Sequence, residues 1–166
     1  MVGACLEIRC TRDIARQILR HRSFSFQEFS QRYAEMDMGY MEAEPRFQDM
    51  KNRQNSLELG ENERDQELRI WWEAGQKKLI YEAHKLYSSA LNQGIAKEVA
   101  RKVLPEGLTM SRMYMYGTLR SWLHYVELRA GEETQKEHRE VAEQAREVLT
   151  SVFPTTFLMY SIKGSD

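Results

Sequence analysis

The strongest pattern of apolar and polar positions in this chain is a helical one at 62–92. Apolar side chains recur there at intervals of three and four residues, the spacing of a helix that turns one face toward a core. They are Leu68, Trp71, Trp72, Leu79, Ile80, Ala83, Leu86, Tyr87 and Leu91. Gly94 follows where a glycine can end a helix. We therefore predict a long core-facing helix, with Trp71 and Trp72 in the core rather than on a stacking surface.

Two segments instead alternate between opposite sides of the chain, which is the period of a strand. Residues 4–10 alternate loosely and predict a half-buried strand, whose pairing partner the preceding residues cannot supply. Residues 108–116 intersperse methionines with hydroxyl-bearing side chains and predict a second strand or an extended wall. Residues 35–60 contain glycine and proline among polar residues and predict a long excursion, whereas 23–34 have no clear period.

Four further segments have apolar positions at helical spacing, with capping or terminating residues beside them. Thr11 can cap the first, Pro105 ends the second and Pro154 ends the last. These helices are predicted at 11–21, 95–104, 118–130 and 133–153. Because helices dominate, we expect an α+β fold: one helix-dominated domain over 1–166 with a small antiparallel sheet.

Length and charge narrow the possible classes of protein. A chain of 166 residues has the usual size of one domain. Its 24 basic and 25 acidic residues give a net charge of -1, so no global charge marks a nucleic-acid or membrane-surface binder. No apolar run approaches the roughly 18 residues that span a bilayer, and no signal peptide follows Met1. We expect a cytoplasmic protein without membrane or nucleic-acid partners, in which any anion site is local.

The two cysteines, Cys5 and Cys10, match neither a metal-binding nor a redox spacing. Five positions apart in a strand, they lie on opposite faces. We expect both to be reduced core thiols and expect no metal site.

Arginine is concentrated near the amino terminus, where residues 9–32 contain six arginines and no lysine. Guanidinium groups match phosphate and carboxylate geometry with two parallel hydrogen bonds, whereas an ammonium acts as a point charge. The charge run alone also fits a solvated helix face with surface ion pairs. The order of residues 20–33 favours binding, because cations, hydroxyls, amides and one carboxylate alternate there with phenylalanine rings. That inventory suits a nucleotide together with a planar cofactor.

The same segment carries a recognisable motif. Arg20-His21-Arg22, followed after seven residues by Ser30, resembles the Arg-His-Arg-x7-Ser signature of the flavin-dependent thymidylate synthases. Residues 15–17, 28 and 32–33 also fit that family, and the resemblance continues at 100–105, 117–129 and 135–139. It covers roughly residues 4–158.

The resemblance implies a homotetramer whose active sites are shared between subunits, with FAD lying between the nucleotide and the folate. Such an enzyme converts dUMP to dTMP, with methylenetetrahydrofolate as the carbon donor and NADPH as the reductant through FAD. It uses no cysteine nucleophile. Members also carry a further strand and helix ahead of the segment that begins near Cys5, so we expect an N-terminally short member that lacks part of the flavin site.

The resemblance also implies roles for individual residues. Those expected to bind dUMP are Gln17, Ile18, Leu19, Arg20, Glu28, Phe29, Ser30, Gln31, Arg32, Arg101 and Arg129. Those expected to bind FAD are Arg20, His21, Arg22, Glu28, Thr118, Leu119, Arg120 and His124. Ile18 and Leu19 would act through their backbone, and Arg32 and Arg101 are the best phosphate ligands. Arg129 is the expected catalytic residue, because it matches the arginine that polarises the uracil ring.

Without the resemblance, several of these residues have plainer interpretations. His124 would be a packed histidine, while Arg120 and Arg129 would pair with Glu127 or Glu133 at the surface. Glu137 and His138 lie on a charged helix face, where solvation or a subunit contact explains them, and Trp122 is a core residue.

Two other functions remain open on the sequence. A related enzyme could install hydroxymethyl rather than methyl at C5 of the pyrimidine. A non-catalytic helical module could bind single-stranded nucleic acid through the segment rich in Arg and Phe, with a strong dependence on salt.

Overall fold

The computed structural model describes residues 2–29, 39–53 and 55–157. Its strands are β1 (Gly3–Thr11), β2 (Ser25–Glu28), β3 (Arg46–Gln48), β4 (Ser56–Glu58) and β5 (Met110–Thr118). Its helices are α1 (Arg12–Ile18), α2 (Glu63–Asn92), α3 (Lys97–Ala100), α4 (Leu119–Arg129) and α5 (Lys136–Val152), with a 3-10 turn at Arg101–Val103. The predicted α+β class with dominant helices is confirmed.

The main sheet has three antiparallel strands in the order β1-β5-β2. β5 is the central strand: it pairs with β1 from Gly3 opposite Thr118 to Thr11 opposite Met110, and with β2 from Ser25 opposite Tyr116. The partner that β1 requires is therefore supplied from the second half of the chain. β3 and β4 form a separate two-stranded hairpin within the predicted excursion at 35–60.

One face of the main sheet is covered by α1, α4 and α5, and the core lies between them. Alternate positions of β1 and β5 point into it, as the period of two requires. The helices contribute apolar positions three and four residues apart. The most deeply buried members are Ile14, Ala15, Ile18, Met113, Met115, Trp122, Tyr125, Ala142 and Leu149.

The helix boundaries differ from the predicted ones where local hydrogen bonds tighten the chain. α1 ends at Ile18 rather than near residue 21, because the backbone N–H groups of Arg20 and His21 bond to carbonyls only three residues back. α4 begins at Leu119, since the side chain of Thr118 accepts from the N–H of Ser121. α5 begins at Lys136, three residues later than predicted.

The prediction that α2 turns an apolar face toward the core is wrong. Gly94, at φ 81°, follows the end of this helix as predicted, and Asn62 caps its start, but its buried residues are only Asp65, Gln76, Ala83 and Tyr87. Trp71 is 66% exposed and Trp72 is 37% exposed, so neither is a core residue. Among the described elements, α2 packs mainly against α3 and the 3-10 turn. Trp122 on α4, in contrast, is completely buried as predicted.

The cysteines lie on opposite faces of β1 as predicted, and both are free. Cys10 is buried, and burial raises the pKa of its thiol to about 12. Cys5 is exposed, so the expectation that it is a core thiol is wrong. β1 lies at an edge of the sheet, and the face that carries Cys5 is not covered by the helices.

Within the described ranges, none of the helices combines the length and apolar character that crossing a membrane requires.

Candidate functional site

A cavity of about 390 Å³ opens where the carboxyl end of α4 approaches α1. Its lining consists of charged and amide side chains: Asp13, Arg16, Gln17, Arg20, Glu106 and Arg129. The cavity thus brings together three residues that the resemblance assigns to dUMP, Gln17, Arg20 and Arg129, from segments more than 100 positions apart.

The sequence of α1 explains why its polar residues share this cavity. Asp13, Arg16 and Gln17 are spaced by three and four, so they follow one face of the helix, and Arg20 continues that face just beyond its end. The opposite face is anchored by Ile14 and its apolar neighbours in the core. Arg16 forms an ion pair with Glu106, which lies between the 3-10 turn and β5. Two acidic groups therefore accompany the cations of the cavity.

Arg129 holds His21 in one protonation state. Its Nε donates to His21 Nε2 over 3.0 Å. A guanidinium can only donate, so His21 Nε2 must accept and the neutral ring carries its hydrogen on Nδ1. Burial, and then the positive charge of Arg129, hold the pKa of His21 below its ordinary value. The sequence allowed Arg129 either a place in the site or a surface ion pair with Glu127 or Glu133. The structure places it in the lining of the candidate site, hydrogen-bonded to His21 of the Arg-His-Arg motif.

Aromatic rings fix the Arg-His-Arg segment against α4. The ring of His21 meets Tyr125 edge-on at a centroid distance of 5.0 Å, and Phe24 meets Trp122 edge-on at 4.8 Å. Phe24 also lies directly on Gly117 of β5, where an added Cβ would come within 2.5 Å of two ring carbons. A glycine is therefore required at 117 for this segment to approach the sheet.

His138 is a correction to the sequence analysis. It does not lie on a solvated face of α5: it is completely buried, with Nε2 3.2 Å from the hydroxyl of Tyr125 and Nδ1 3.4 Å from Oε1 of Gln17. Burial, then the charges of Arg129 and His21, lower the pKa of His138 to about 4, so the ring is neutral at physiological pH. Its spacing from Ala142 and Leu149 places it on the buried stripe of α5, and that signal could have identified it.

The other residues assigned to dUMP that the structure describes lie apart from this cavity. The side chain of Ile18 is completely buried and serves the core, which agrees with a role for its backbone alone. Oε1 of Glu28 accepts from Ser111 Oγ over 2.8 Å, and the ring of Phe29 lies 5.1 Å from the Arg112 guanidinium carbon. Ser30, Gln31 and Arg32 lie outside the described residues. Arg101 begins the 3-10 turn and is not part of the lining of the cavity.

The residues assigned to FAD on α4 form a second group. Thr118 caps the helix, and Arg120 and His124, one helical turn apart, are both exposed on one side of it. His124 lies 3.7 Å from Glu127 with a side chain that is 60% exposed, so its interpretation as a packed histidine is wrong. Arg22 is exposed as well. Cationic and imidazole side chains thus remain accessible beside the Arg-His-Arg segment.

An ion-pair network connects the start of α5 to the hairpin of β3 and β4. Lys136 Nζ lies 2.7 Å from Glu44 and 2.8 Å from Glu58, and Arg46 pairs with Glu137. Burial tends to raise the pKa of Glu137, but a backbone hydrogen bond and the charge of Arg46 outweigh burial and hold that pKa below its usual range. Glu137 is therefore a fixed carboxylate, and Gln135 Nε2 donates to its Oε2 over 3.0 Å.

Comparison with known proteins gives a consistent result. Residues 1–155 match the model of the family described as thymidylate synthase complementing protein. The chain is 50% identical over 155 residues to the flavin-dependent thymidylate synthase of Synechocystis sp., covering 93% of this chain and 69% of that protein. It is 49% identical over 154 residues to a probable flavin-dependent thymidylate synthase of Paramecium bursaria Chlorella virus 1, covering 90% of this chain and 67% of that protein.

A solved structure has the same fold. The UMP/dUMP methylase PolB from Streptomyces cacaoi, bound with 5-Br UMP, superposes with a TM-score of 0.81 at 25% identity. The match covers 96% of this chain and 73% of that one.

Proposed function

The chain belongs to the family of flavin-dependent thymidylate synthases, and from this membership we propose that it methylates dUMP to dTMP at the cavity between α1 and α4. In this proposal FAD is the cofactor, methylenetetrahydrofolate donates the carbon unit and NADPH supplies the reducing equivalents. The active form is a homotetramer with shared sites. Folate, NADPH and the tetramer rest on the family resemblance.

The observation that carries the proposal is the convergence of Gln17, Arg20 and Arg129 on one cavity. Its volume of about 390 Å³ lies within the range of small-molecule sites, which runs from about 300 to 1,000 Å³. Guanidinium groups on two walls suit an anionic ligand, since each can donate two parallel hydrogen bonds to phosphate or to a carbonyl edge. Glu106 pairs with Arg16, and Asp13 adds a second carboxylate to the lining, so the positive charge of the cavity is partly offset.

The residues around α4 fit the flavin. Exposed Arg120 and His124 on one side of the helix, with Arg22 of the preceding motif, offer cationic and imidazole donors for a diphosphate. When bound, the flavin would supply the hydride that completes the methyl group. Arg22, Thr118, Arg120 and His124 would hold it, and the rings packed on His21 keep the motif in place.

Arg129 has the clearest chemical role. Negative charge on the uracil ring makes C5 nucleophilic toward the carbon donor, and a guanidinium beside that ring would stabilise the charged, reactive form more than the neutral form that first binds. The hydrogen bond from Nε to His21 fixes the orientation of the guanidinium before the nucleotide arrives. This preorganisation avoids a reorganisation cost during the reaction.

The test measures three quantities on the purified holoprotein. Bound flavin absorbs between about 370 and 450 nm, a property of the cofactor itself. Release of tritium from C5 of labelled dUMP reports substitution at that carbon. The mass of the nucleotide product distinguishes methyl from hydroxymethyl, which differ by one oxygen atom. Flavin-loaded protein that releases no tritium with both co-substrates present would contradict the proposal.

The role of Arg129 has its own test. Arg129→Ala should lower the rate at saturating dUMP more than it lowers dUMP affinity, and Arg129→Lys should recover only part of that rate because it keeps the charge without the planar fork. Flavin absorbance of each variant must equal that of the parent. A normal rate of dTMP formation by Arg129→Ala would show that Arg129 does not activate the pyrimidine.

A further inference from the structure

Five side chains form a continuous path of hydrogen bonds from the surface to the core beside the cavity. Gln135 donates from Nε2 to Glu137 over 3.0 Å, and Gln17 donates from Nε2 to Gln135 Oε1 over 2.7 Å. Gln17 Oε1 lies 3.4 Å from His138 Nδ1, and His138 Nε2 lies 3.2 Å from the hydroxyl of Tyr125. We call this path, Glu137-Gln135-Gln17-His138-Tyr125, the amide relay.

The carboxylate at one end determines the direction of every bond in the relay. Glu137 can only accept, so the amide nitrogen of Gln135 must face it and the amide oxygen of Gln135 must face Gln17. Gln17 must then present its nitrogen to Gln135 and its oxygen to His138. Because an amide oxygen cannot donate, the hydrogen of His138 lies on Nδ1 and its Nε2 accepts from Tyr125.

The inner end of the relay is sealed from water, which keeps this direction fixed. His138 is 0% exposed and Tyr125 is 2% exposed. Burial raises the pKa of Tyr125, so its hydroxyl stays protonated and remains a donor. Reversing the bonds at His138 would leave a buried donor or acceptor without a partner, at a cost of about 1–3 kcal/mol. The outer end is held by Arg46, which pairs with Glu137.

We propose that His138 is a positioning residue for the nucleotide: through the relay it fixes the Gln17 side chain so that this residue presents an N–H donor, and not its carbonyl oxygen, to dUMP. The oxygen of Gln17 is occupied by His138. Its nitrogen carries two hydrogens, of which Gln135 takes one. Gln17 also lines the cavity, so the second hydrogen is the group available to a bound ligand. Gln17 therefore recognises an acceptor oxygen of the nucleotide, and the inference rests on the proposed binding of dUMP at this cavity.

A double-mutant cycle separates this role from a general effect on the fold. In the flavin-loaded enzyme, His138→Leu should raise the dissociation constant of dUMP about fivefold, the equivalent of one hydrogen bond. In a Gln17→Ala background the same substitution should change it by less than about twofold, since His138 would have nothing left to position. His84→Leu, a matched change on the exposed side of α2, should leave dUMP binding unchanged.

Two further variants keep the test decisive if His138→Leu folds poorly. Tyr125→Phe removes one oxygen atom and the hydrogen bond to Nε2, and its effect on dUMP affinity should also vanish in the Gln17→Ala background. His138→Asn offers an amide N–H at the place of Nδ1, so it should recover most of the affinity that leucine loses. All losses should appear in KM, with kcat at saturating dUMP unchanged, because the interaction is made in the ground state as well.

The outcomes are distinct. Costs of His138 and Gln17 substitutions that add independently would overturn the relay while leaving the proposed function intact. A parent protein that neither binds nor methylates dUMP would instead refute the proposed function. In that case the relay is tested separately, by NMR spectra of protein labelled with nitrogen-15 in histidine. We expect the ring hydrogen of His138 on Nδ1, and a hydrogen on Nε2 would overturn the relay.

Discussion

Lowering the pH should unfold this protein partly through one side chain, His138. Its pKa is about 4 in the folded state, against 6.5 for an unperturbed histidine. The folded-state pKa lies below the unfolded one, so the unfolded chain takes up a proton that the folded chain excludes. The contribution of His138 to stability is therefore fully present above pH 6.5 and is lost progressively as the pH falls toward 4.

The size of the effect follows from the same two values. Between about pH 7.5 and about pH 5, linkage predicts a loss of about 2 kcal/mol from this histidine alone. The complete burial of the ring and the neighbouring positive charge of Arg129 both oppose its protonation. Since single domains are stable by only about 5–15 kcal/mol, such a loss is readily measured.

The assay is urea unfolding followed by circular dichroism at both pH values, at one fixed protein concentration. The parent should lose about 2 kcal/mol more than His138→Asn on acidification, because the variant no longer has the group that titrates. His84→Asn makes the same substitution at an exposed position of α2 and should follow the parent. Carboxylates that titrate in this range affect all three proteins alike and cancel in the comparison. Parallel losses in the parent and in His138→Asn would refute the reasoning.

Three shorter predictions test the core, the sheet and the nucleotide site. Gly117→Ala should destabilise the protein by about 1–3 kcal/mol in thermal unfolding, because the new Cβ would clash with the ring of Phe24. In contrast, the Cβ of Gly75→Ala meets no atom within 4 Å, and this substitution should stabilise α2 by up to about 1 kcal/mol. Cys10, whose pKa is raised to about 12, should resist alkylation at about pH 8 in the folded protein and react in urea, as mass spectrometry would show. Arg101→Ala should weaken dUMP binding by about 1.5–3 kcal/mol and leave deoxyuridine binding unchanged in calorimetry; equal losses would exclude a phosphate contact.

The elements with strong local signals were predictable. The sequence analysis located β5 and α4 closely because alternating methionines mark the strand and the hydroxyl of Thr118 caps the helix. It also predicted Arg129 as a site residue, through a resemblance that reaches well beyond one motif. The structure places Arg129 with Gln17 and Arg20 at one cavity. Their roles in binding and activating dUMP remain proposals.

The failures have equally physical causes. The hairpin of β3 and β4 was missed because strands of three residues are too short to show a period. His138 was assigned to a charged helix face because charged neighbours surround it in sequence, although its spacing from Ala142 and Leu149 marks the stripe that packs against α1 and α4. The tryptophans of α2 show the converse error, since helical spacing reports that a face is apolar and not which surface covers it.

The direct junction of β5 and α4 at Thr118 limits which insertions and deletions the chain can tolerate. No linker separates the two elements: Thr118 is the last residue of the strand and also the cap of the helix. Inserting one residue within β5 would turn Met113 and Met115 away from the core. Deleting one just after Thr118 would rotate α4 by about 100° and carry Arg129 a quarter of a turn or more away from His21. Insertions and deletions should therefore be excluded across 110–129.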